Sequence, residues 1–168
     1  MADKQHLANQ DAIKKMKDMA EEIQICMFCT YDVQNKMQTA PMNANQIDDD
    51  GTFWFLSTKD STRNFDIQSN GTTDLIFAQP SKSNYLSIRG TSEILYDKQK
   101  IDDLWNPMVK TWFTEGKDDP SISIIKFTPE EAYYWDTKNG KMISFLKIAV
   151  GAVTGKTMDD GIQGKLKV

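Results

Sequence analysis

Several residue types that support catalysis are scarce in this chain. It contains one histidine, His6, in a polar N-terminal segment, and two cysteines. A multi-histidine metal site is therefore excluded, and a catalytic triad would have to be built from His6. Two cysteines cannot supply the four ligands of a structural zinc site. We predict no metal site.

Long apolar runs and a surplus of basic residues are also absent. No run approaches the roughly 18 apolar residues of a membrane span, and the opening MADKQHLANQ is too polar for a secretory signal. The net charge of −4, with only two arginines, argues against a nucleic-acid-binding face. The 168 residues show no composition shift that would mark a second domain. We therefore expect a single cytoplasmic domain over residues 1–168 that contacts neither membrane nor nucleic acid.

The two cysteines have the C-x-x-C spacing of redox motifs, as Cys26-Met27-Phe28-Cys29. Redox pairs of this kind lie at a helix N-terminus, where the thiolate is stabilised. This pair falls in a predicted strand, where three residues span roughly 10 Å and the side chains point to opposite faces. A disulfide needs Cα atoms within about 7 Å. We interpret both as ordinary strand cysteines.

Apolar periodicity predicts two helices. Ile13, Met16 and Ala20 recur at helical spacing and indicate an N-terminal helix that ends near residue 22. Residues 98–113 are also predicted to be helical, although Pro107 must kink or divide that helix.

The remaining pattern is that of strands and turns. Pro41 cannot donate to a sheet ladder, so it should lie at an edge, at a bulge or facing a ligand. Gly90 indicates a bend or bulge inside a long strand. We expect an extended tail at 151–168, and strands at 25–32, 37–45, 53–56, 72–79, 84–96, 121–127 and 131–137. Many strands without regular βαβ alternation indicate a mostly β or α+β class, or a barrel.

The segment from Gly51 to Gly71 has the features of an anion site. A short aromatic strand leads into a connection that carries Ser57, Thr58, Ser61 and Arg63. Free N–H groups and the dipole at a helix N-terminus favour an anion, and an arginine can bind it bidentately. The alternative is that these residues only cap a helix and solvate a turn.

The helix that follows should be capped by Asp60 or Ser61 and stopped by Asn70-Gly71. We expect Phe65 and Ile67 to point inward from it.

Side chains suited to acid–base catalysis are few. The pairs Glu130-Glu131 and Asp118-Asp119 have the character of helix-start or loop charges. If the protein is an enzyme, a cofactor should therefore carry the reaction. Several aromatic residues could flank a flat ring, namely Trp54, Trp105, Trp112, Trp135, Tyr133 and Tyr134. For Trp54 and Trp105, core packing is the simpler interpretation.

The order of five motifs resembles that of the pyridoxamine 5′-phosphate oxidase-like superfamily of FMN-binding split barrels, and in particular its bacterial general stress protein branch. These motifs are APM, DDDGTFWFLSTKDSTR, NYLSIRGTSEI, LWNPMVKTWF and PEEAYYWD, with KTMDDGIQGKLKV in the tail. The resemblance implies a six-stranded antiparallel split barrel with flanking helices. It also implies a homodimer with FMN in a groove between the subunits.

The resemblance assigns residues to the flavin site by position. Its phosphate-binding segment corresponds to Ser57, Thr58, Ser61 and Arg63. The strand that passes the flavin corresponds to Gln38–Met42, and so includes Ala40, Pro41 and Met42. Further groove residues correspond to the strand containing Ser87, and to Trp112 and Trp135, which could be contributed across the dimer.

This chain departs from the family pattern at Ala40, where an arginine usually precedes the proline. A positive group near the flavin stabilises its reduced anion, so its loss should weaken that form or the binding. The candidate substitutes for this charge are Lys59 and Arg89.

The resemblance leaves the reaction open. The chain ends in LKV without the arginine and histidine of true pyridoxamine phosphate oxidases, so that activity is not expected, and a single histidine disfavours haem binding. Two hypotheses remain. One is an FMN-dependent oxidoreductase that uses NAD(P)H or another small molecule. The other is a flavin-binding stress protein that sequesters FMN without turnover.

Overall fold

The computed structural model describes residues 2–135, with side chains from residue 10 onward. Its helices are α1 (Ala2–Ile23), α2 (Thr62–Ser69) and α3 (Lys98–Leu104). Its strands are β1 (Ile25–Tyr31), β2 (Met37–Asn43), β3 (Gln46–Ile47), β4 (Phe53–Thr58), β5 (Thr72–Gln79), β6 (Asn84–Leu95) and β7 (Ile122–Trp135). The predicted tail at 151–168 lies outside the described residues.

One antiparallel sheet contains every described strand, in the order β2-β1-β5-β6-β7-β4-β3. Its two edge strands, β2 and β3, are joined by only residues 44 and 45, so the sheet must curl until its edges approach each other. This is the split barrel with flanking helices that the resemblance implies. The sheet has seven strands rather than six because the two-residue strand β3 is added. Pro41 lies in edge strand β2, as its missing N–H requires.

The barrel interior is filled mainly by aromatic and branched side chains. Phe53, at zero exposure, packs edge-on against Phe127 with ring centroids 5.8 Å apart. Helix α1 adds Met16 and Met19 to this core, which confirms the predicted N-terminal helix. A second, smaller cluster joins α3 and the loop after it to β7 and holds Trp54 and Trp105 partly buried, as their core interpretation requires.

The final strand corrects one prediction. Residues 122–135 form one continuous strand instead of two, and Glu130 and Glu131 lie inside it rather than at a helix start or in a loop. A proline normally interrupts a strand. Pro129 is tolerated because the β6–β7 register shifts between Arg89 and Gly90. The predicted irregularity at Gly90 is thereby confirmed. A Cβ on Gly90 would lie 2.1 Å from the Thr128 carbonyl oxygen, so only glycine fits there.

Two helix predictions are refined. The 98–113 segment is divided, since α3 ends at Leu104 and a separate 3₁₀ turn covers Val109–Thr111. Pro107 lies between the two pieces, which is the division predicted for it. In α2, Ile67 is buried as expected. Phe65 is 55% exposed, so the prediction that it points inward was wrong.

The face of α2 that points inward is partly polar. Asn64 and Asp66 are buried because each has a hydrogen-bond partner on the sheet, Ser123 and Thr30 respectively. Because these two hydrogen bonds fix which face of α2 points inward, Phe65 points outward.

The cysteines are both buried, free thiols of strand β1, as predicted. Burial raises the pKa of Cys26 to about 12, so its thiol stays protonated. Among the described residues, no helix is long and apolar enough to cross a membrane.

Candidate functional site

The predicted anion segment folds as a strand that runs into a helix N-terminus. Strand β4 ends at Thr58, and Ser61 caps α2 with its hydroxyl accepting from the Asn64 N–H at 3.2 Å. Ser61 therefore fulfils the capping role of the simpler alternative. Its hydroxyl also contacts Ser57 Oγ at 3.2 Å, which connects the cap to the end of β4.

Arg63 lies in the first turn of α2 and is half-buried. Its guanidinium lies 5.8 Å from the centroid of the Phe28 ring, and its Nη1 donates to Ser57 Oγ at 3.0 Å. Its Nε is buried without a hydrogen-bond partner. Burial lowers the pKa of the guanidinium, although an arginine stays charged. None of the ion pairs among residues 10–135 includes Arg63.

A pocket of about 330 Å³ opens beside Arg63. It is formed by strands β1 and β2 and by the start of α2, which are distant in sequence. It is lined by Phe28, Thr30, Gln38, Thr39, Ala40, Ser61, Thr62 and Arg63. The structure thus brings Ala40 together with Ser61 and Arg63, all three of which the resemblance assigned to one site.

Other predicted site residues do not line this pocket. Ser57 is buried behind Ser61 and Arg63, and Thr58 is exposed at the end of β4. Pro41 is exposed on the opposite face of β2 from Ala40, whereas Met42 shares the face of Ala40 and packs against the barrel core. Pro41 and Met42 could therefore contribute through their backbone, which runs past the pocket.

Ser87 and Trp135 lie in a second pocket of about 410 Å³ on the outer face of the sheet. The other residues that line it are Ile76, Phe77, Tyr85 and Leu86. Trp112 lines neither pocket and is 79% exposed on the 3₁₀ turn after α3. The predicted flavin residues are therefore divided between the first pocket, the second pocket and positions that line neither of them.

Neither suggested substitute for the missing arginine reaches the first pocket. Arg89 forms a bidentate pair with Asp74, at 2.8 and 3.0 Å, and Asp74 also accepts from the Tyr31 hydroxyl at 2.5 Å. Lys59 lies 5.2 Å from the centroid of the Tyr96 ring. Arg63 is consequently the cation among the residues that line the pocket.

Sequence reasoning missed Phe28, Thr30 and Thr62. The first two are alternate residues of β1 whose inward orientation follows from the strand period, but their proximity to Arg63 depends on how α2 packs. Thr30 donates its hydroxyl proton to Asp66 at 2.7 Å, so it offers only lone pairs to the pocket.

The fold and this site define a protein of one class: the chain belongs to the pyridoxamine 5′-phosphate oxidase like family, whose model matches residues 11–159. Among solved structures, it is similar to a Clostridium acetobutylicum protein related to general stress protein 26 of B. subtilis. That match has 26% identity and a TM-score of 0.67, and covers 81% of this chain and 94% of the other.

Two further relatives extend the comparison. The general stress FMN/FAD binding protein of Xanthomonas citri shares 24% identity over 84% of this chain and 99% of its own, with a TM-score of 0.66. The Neurospora crassa protein bli-3 is 27% identical over an alignment of 113 residues, which covers 61% of this chain. The match spans about half, 53%, of the length of bli-3.

Proposed function

We propose that this protein is a cytoplasmic, general stress-type flavoprotein that binds FMN as a homodimer and acts as an oxidoreductase on a small molecule. The observation that carries the proposal is the half-buried Arg63, whose Nε is buried without a partner and whose charge is not balanced by a described carboxylate. The name of the Xanthomonas citri relative, an FMN/FAD binding protein, supports the choice of ligand.

The residues at the first pocket fit a phosphate monoester. A buried, unpaired cation is costly unless an anion completes it. The start of α2 adds N–H groups and a favourable dipole, and Thr62 adds a hydroxyl at the pocket wall. We assign the FMN phosphate to Arg63 and Thr62, with Ser61 capping α2 and Ser57 holding Arg63 in place from behind. The Ser61 hydroxyl proton is donated to Asn64 Oδ1.

The homodimer is supported by the outer face of the sheet. Met27, Ile76 and Tyr85 are each about 40% exposed there, and Met27 and Ile76 are directly paired across β1 and β5. Ile76 is in turn paired with Ser87 across β5 and β6. A second copy on this face would bury the apolar residues and could bring Ser87, Trp135 or Trp112 to the flavin held at its partner's Arg63.

FMN, when bound, would supply hydride transfer. Among the described residues that line the first pocket, none has a carboxylate, imidazole or thiol, so these side chains bind and orient rather than transfer protons. Ala40 leaves its part of the pocket without the charge that would favour a reduced, anionic flavin.

The same absence of proton-transfer groups favours a second candidate function. A protein that sequesters FMN needs only the binding residues, and the lining of the first pocket provides those alone. The two candidates share the ligand and differ in turnover.

The first experiment is an absorbance spectrum of the purified protein with and without added FMN, combined with size-exclusion chromatography. Flavin bands that elute with a dimer support the proposal, and a protein that does not bind FMN contradicts it. Stopped-flow mixing with NADH or NADPH then separates the candidates. Fast, saturable bleaching of the bound flavin supports the oxidoreductase, and no bleaching with either nucleotide supports sequestration.

A further inference from the structure

A buried polar chain connects the cap of α2 to strands β4 and β7. Asn64, at zero exposure, donates from Nδ2 to Ser123 Oγ at 2.8 Å, and its Oδ1 accepts from Ser61 Oγ at 3.0 Å. Ser123, also at zero exposure, donates its hydroxyl proton to the Ser57 carbonyl at 3.0 Å. The chain therefore begins at the pocket wall and returns to the residue that holds Arg63.

The orientation of the Asn64 amide follows from this chain. Because the Ser123 proton is donated to the Ser57 carbonyl, Ser123 Oγ can only accept from Asn64, which requires Nδ2 on that side. The carbonyl Oδ1 must then face Ser61. Both polar atoms of the amide are satisfied, so this arrangement is the favoured one in a buried site.

We propose that Asn64 and Ser123 are positioning residues that set the preference of the pocket for a phosphorylated flavin over riboflavin. Asn64 donates to Ser123, Ser123 donates to the Ser57 carbonyl, and the Ser57 hydroxyl accepts from the Arg63 guanidinium, which is thereby held towards the pocket. Neither residue lines the pocket. Their effect should therefore be on the phosphate of the ligand and not on its ring. This inference rests on the proposed FMN site.

The test compares the Kd values of FMN and riboflavin, measured by flavin fluorescence titration of the full chain. Ser123→Ala removes the bond to the Ser57 carbonyl and the acceptor for Asn64. We expect it to weaken FMN binding about tenfold, since a charge-assisted contact is misplaced, and to leave riboflavin binding unchanged. Thr73→Val is the matched control. Thr73 is equally buried, and its hydroxyl donates to the Gly71 carbonyl at a distance of 3.1 Å. Thr73 does not line the pocket.

Asn64→Asp adds a pH readout to the same comparison of FMN with riboflavin. A protonated aspartic acid can still donate to Ser123 and accept from Ser61, whereas the ionised form loses the donor and repels phosphate. Relative to wild type at each pH, FMN binding by this variant should weaken as pH rises through the pKa of the new carboxyl. Riboflavin binding should not follow that profile.

Three results would overturn the inference, and they are distinguishable. If wild type binds FMN no tighter than riboflavin, the proposed phosphate site fails and this inference fails with it. If wild type prefers FMN and both variants keep that preference at all pH values, only the positioning role fails. An equal loss of preference in Thr73→Val would show that any buried hydroxyl deletion has this effect.

Discussion

Replacing Arg63 by methionine should show two effects of its charge: the contribution to FMN affinity and the cost to the stability of the flavin-free protein. The methionine side chain can keep the packing against Phe28, but it removes the guanidinium and its bond to Ser57. A hydrogen bond to a charged group contributes about 1.5–3 kcal/mol, which corresponds to a loss of about ten- to hundredfold in FMN affinity. Riboflavin, which lacks the phosphate, should bind with unchanged affinity.

The same substitution should stabilise the flavin-free protein. Nε of Arg63 is buried without a partner, and no described ion pair offsets the charge. A buried donor that is left without a partner costs about 1–3 kcal/mol, so replacing it with an apolar side chain should stabilise the flavin-free protein by up to that amount. At the lower end of that range, the Tm of a chain of this size rises by about 2–4 °C.

The assay combines fluorescence titration with FMN and riboflavin and thermal unfolding of the flavin-free protein. Arg63→Lys serves as the control, because it keeps a charge but loses the planar fork. Its FMN affinity should lie between those of wild type and Arg63→Met. An unchanged FMN affinity in Arg63→Met would refute the assignment of the phosphate to this residue. A lowered Tm would refute the inference that the cation is uncompensated in the flavin-free state.

Three further predictions concern other parts of the chain. Ala40→Arg should tighten FMN binding, because it restores a cation to the pocket, and a titration that shows no tightening would contradict this. Ile76→Lys should convert a dimer to a monomer on size-exclusion chromatography, since it places a charge on the proposed interface; an unchanged elution volume would argue against that face. The pKa of Cys26, raised by burial to about 12 from 9.0, predicts a stability effect at high pH. The unfolded thiol ionises first, so the free energy of unfolding should fall between pH 9 and 12 by about 1.4 kcal/mol per unit, and Cys26→Val should show a smaller decrease in urea titrations.

The sequence predicted those features that depend on local chemistry. Ser61 was expected as a helix cap, and Thr72–Gln79 as a strand, because capping and strand alternation are encoded within a few residues. The prediction that Phe65 points inward was wrong because hydrophobicity alone was used to choose the buried face of α2. The partners of Asn64 and Asp66 lie on β7 and β1, far away in sequence.

The site was predicted in the same uneven way. Arg63 and Ser61 were identifiable from one segment, whereas Phe28 and Thr30 enter the pocket only through the packing of β1 against α2. The resemblance predicted that Ser87 and Trp135 belong to the same site, but in the described chain they line a different pocket. Local pattern does not encode which distant strands come together.

In the proposed site, the division between separate elements would allow Ala40 to differ from the family pattern while the anion-binding residues are kept. Arg63 and Ser61 are held by bonds to β4 and by the chain to β7, and none of those bonds involves β2. Ala40 belongs to β2, whose contact with the pocket is made from the opposite wall. A substitution on β2 can therefore alter the environment of the flavin while phosphate recognition continues to depend on α2. By this reasoning, relatives with the same fold can keep the ligand and differ in what the bound flavin does.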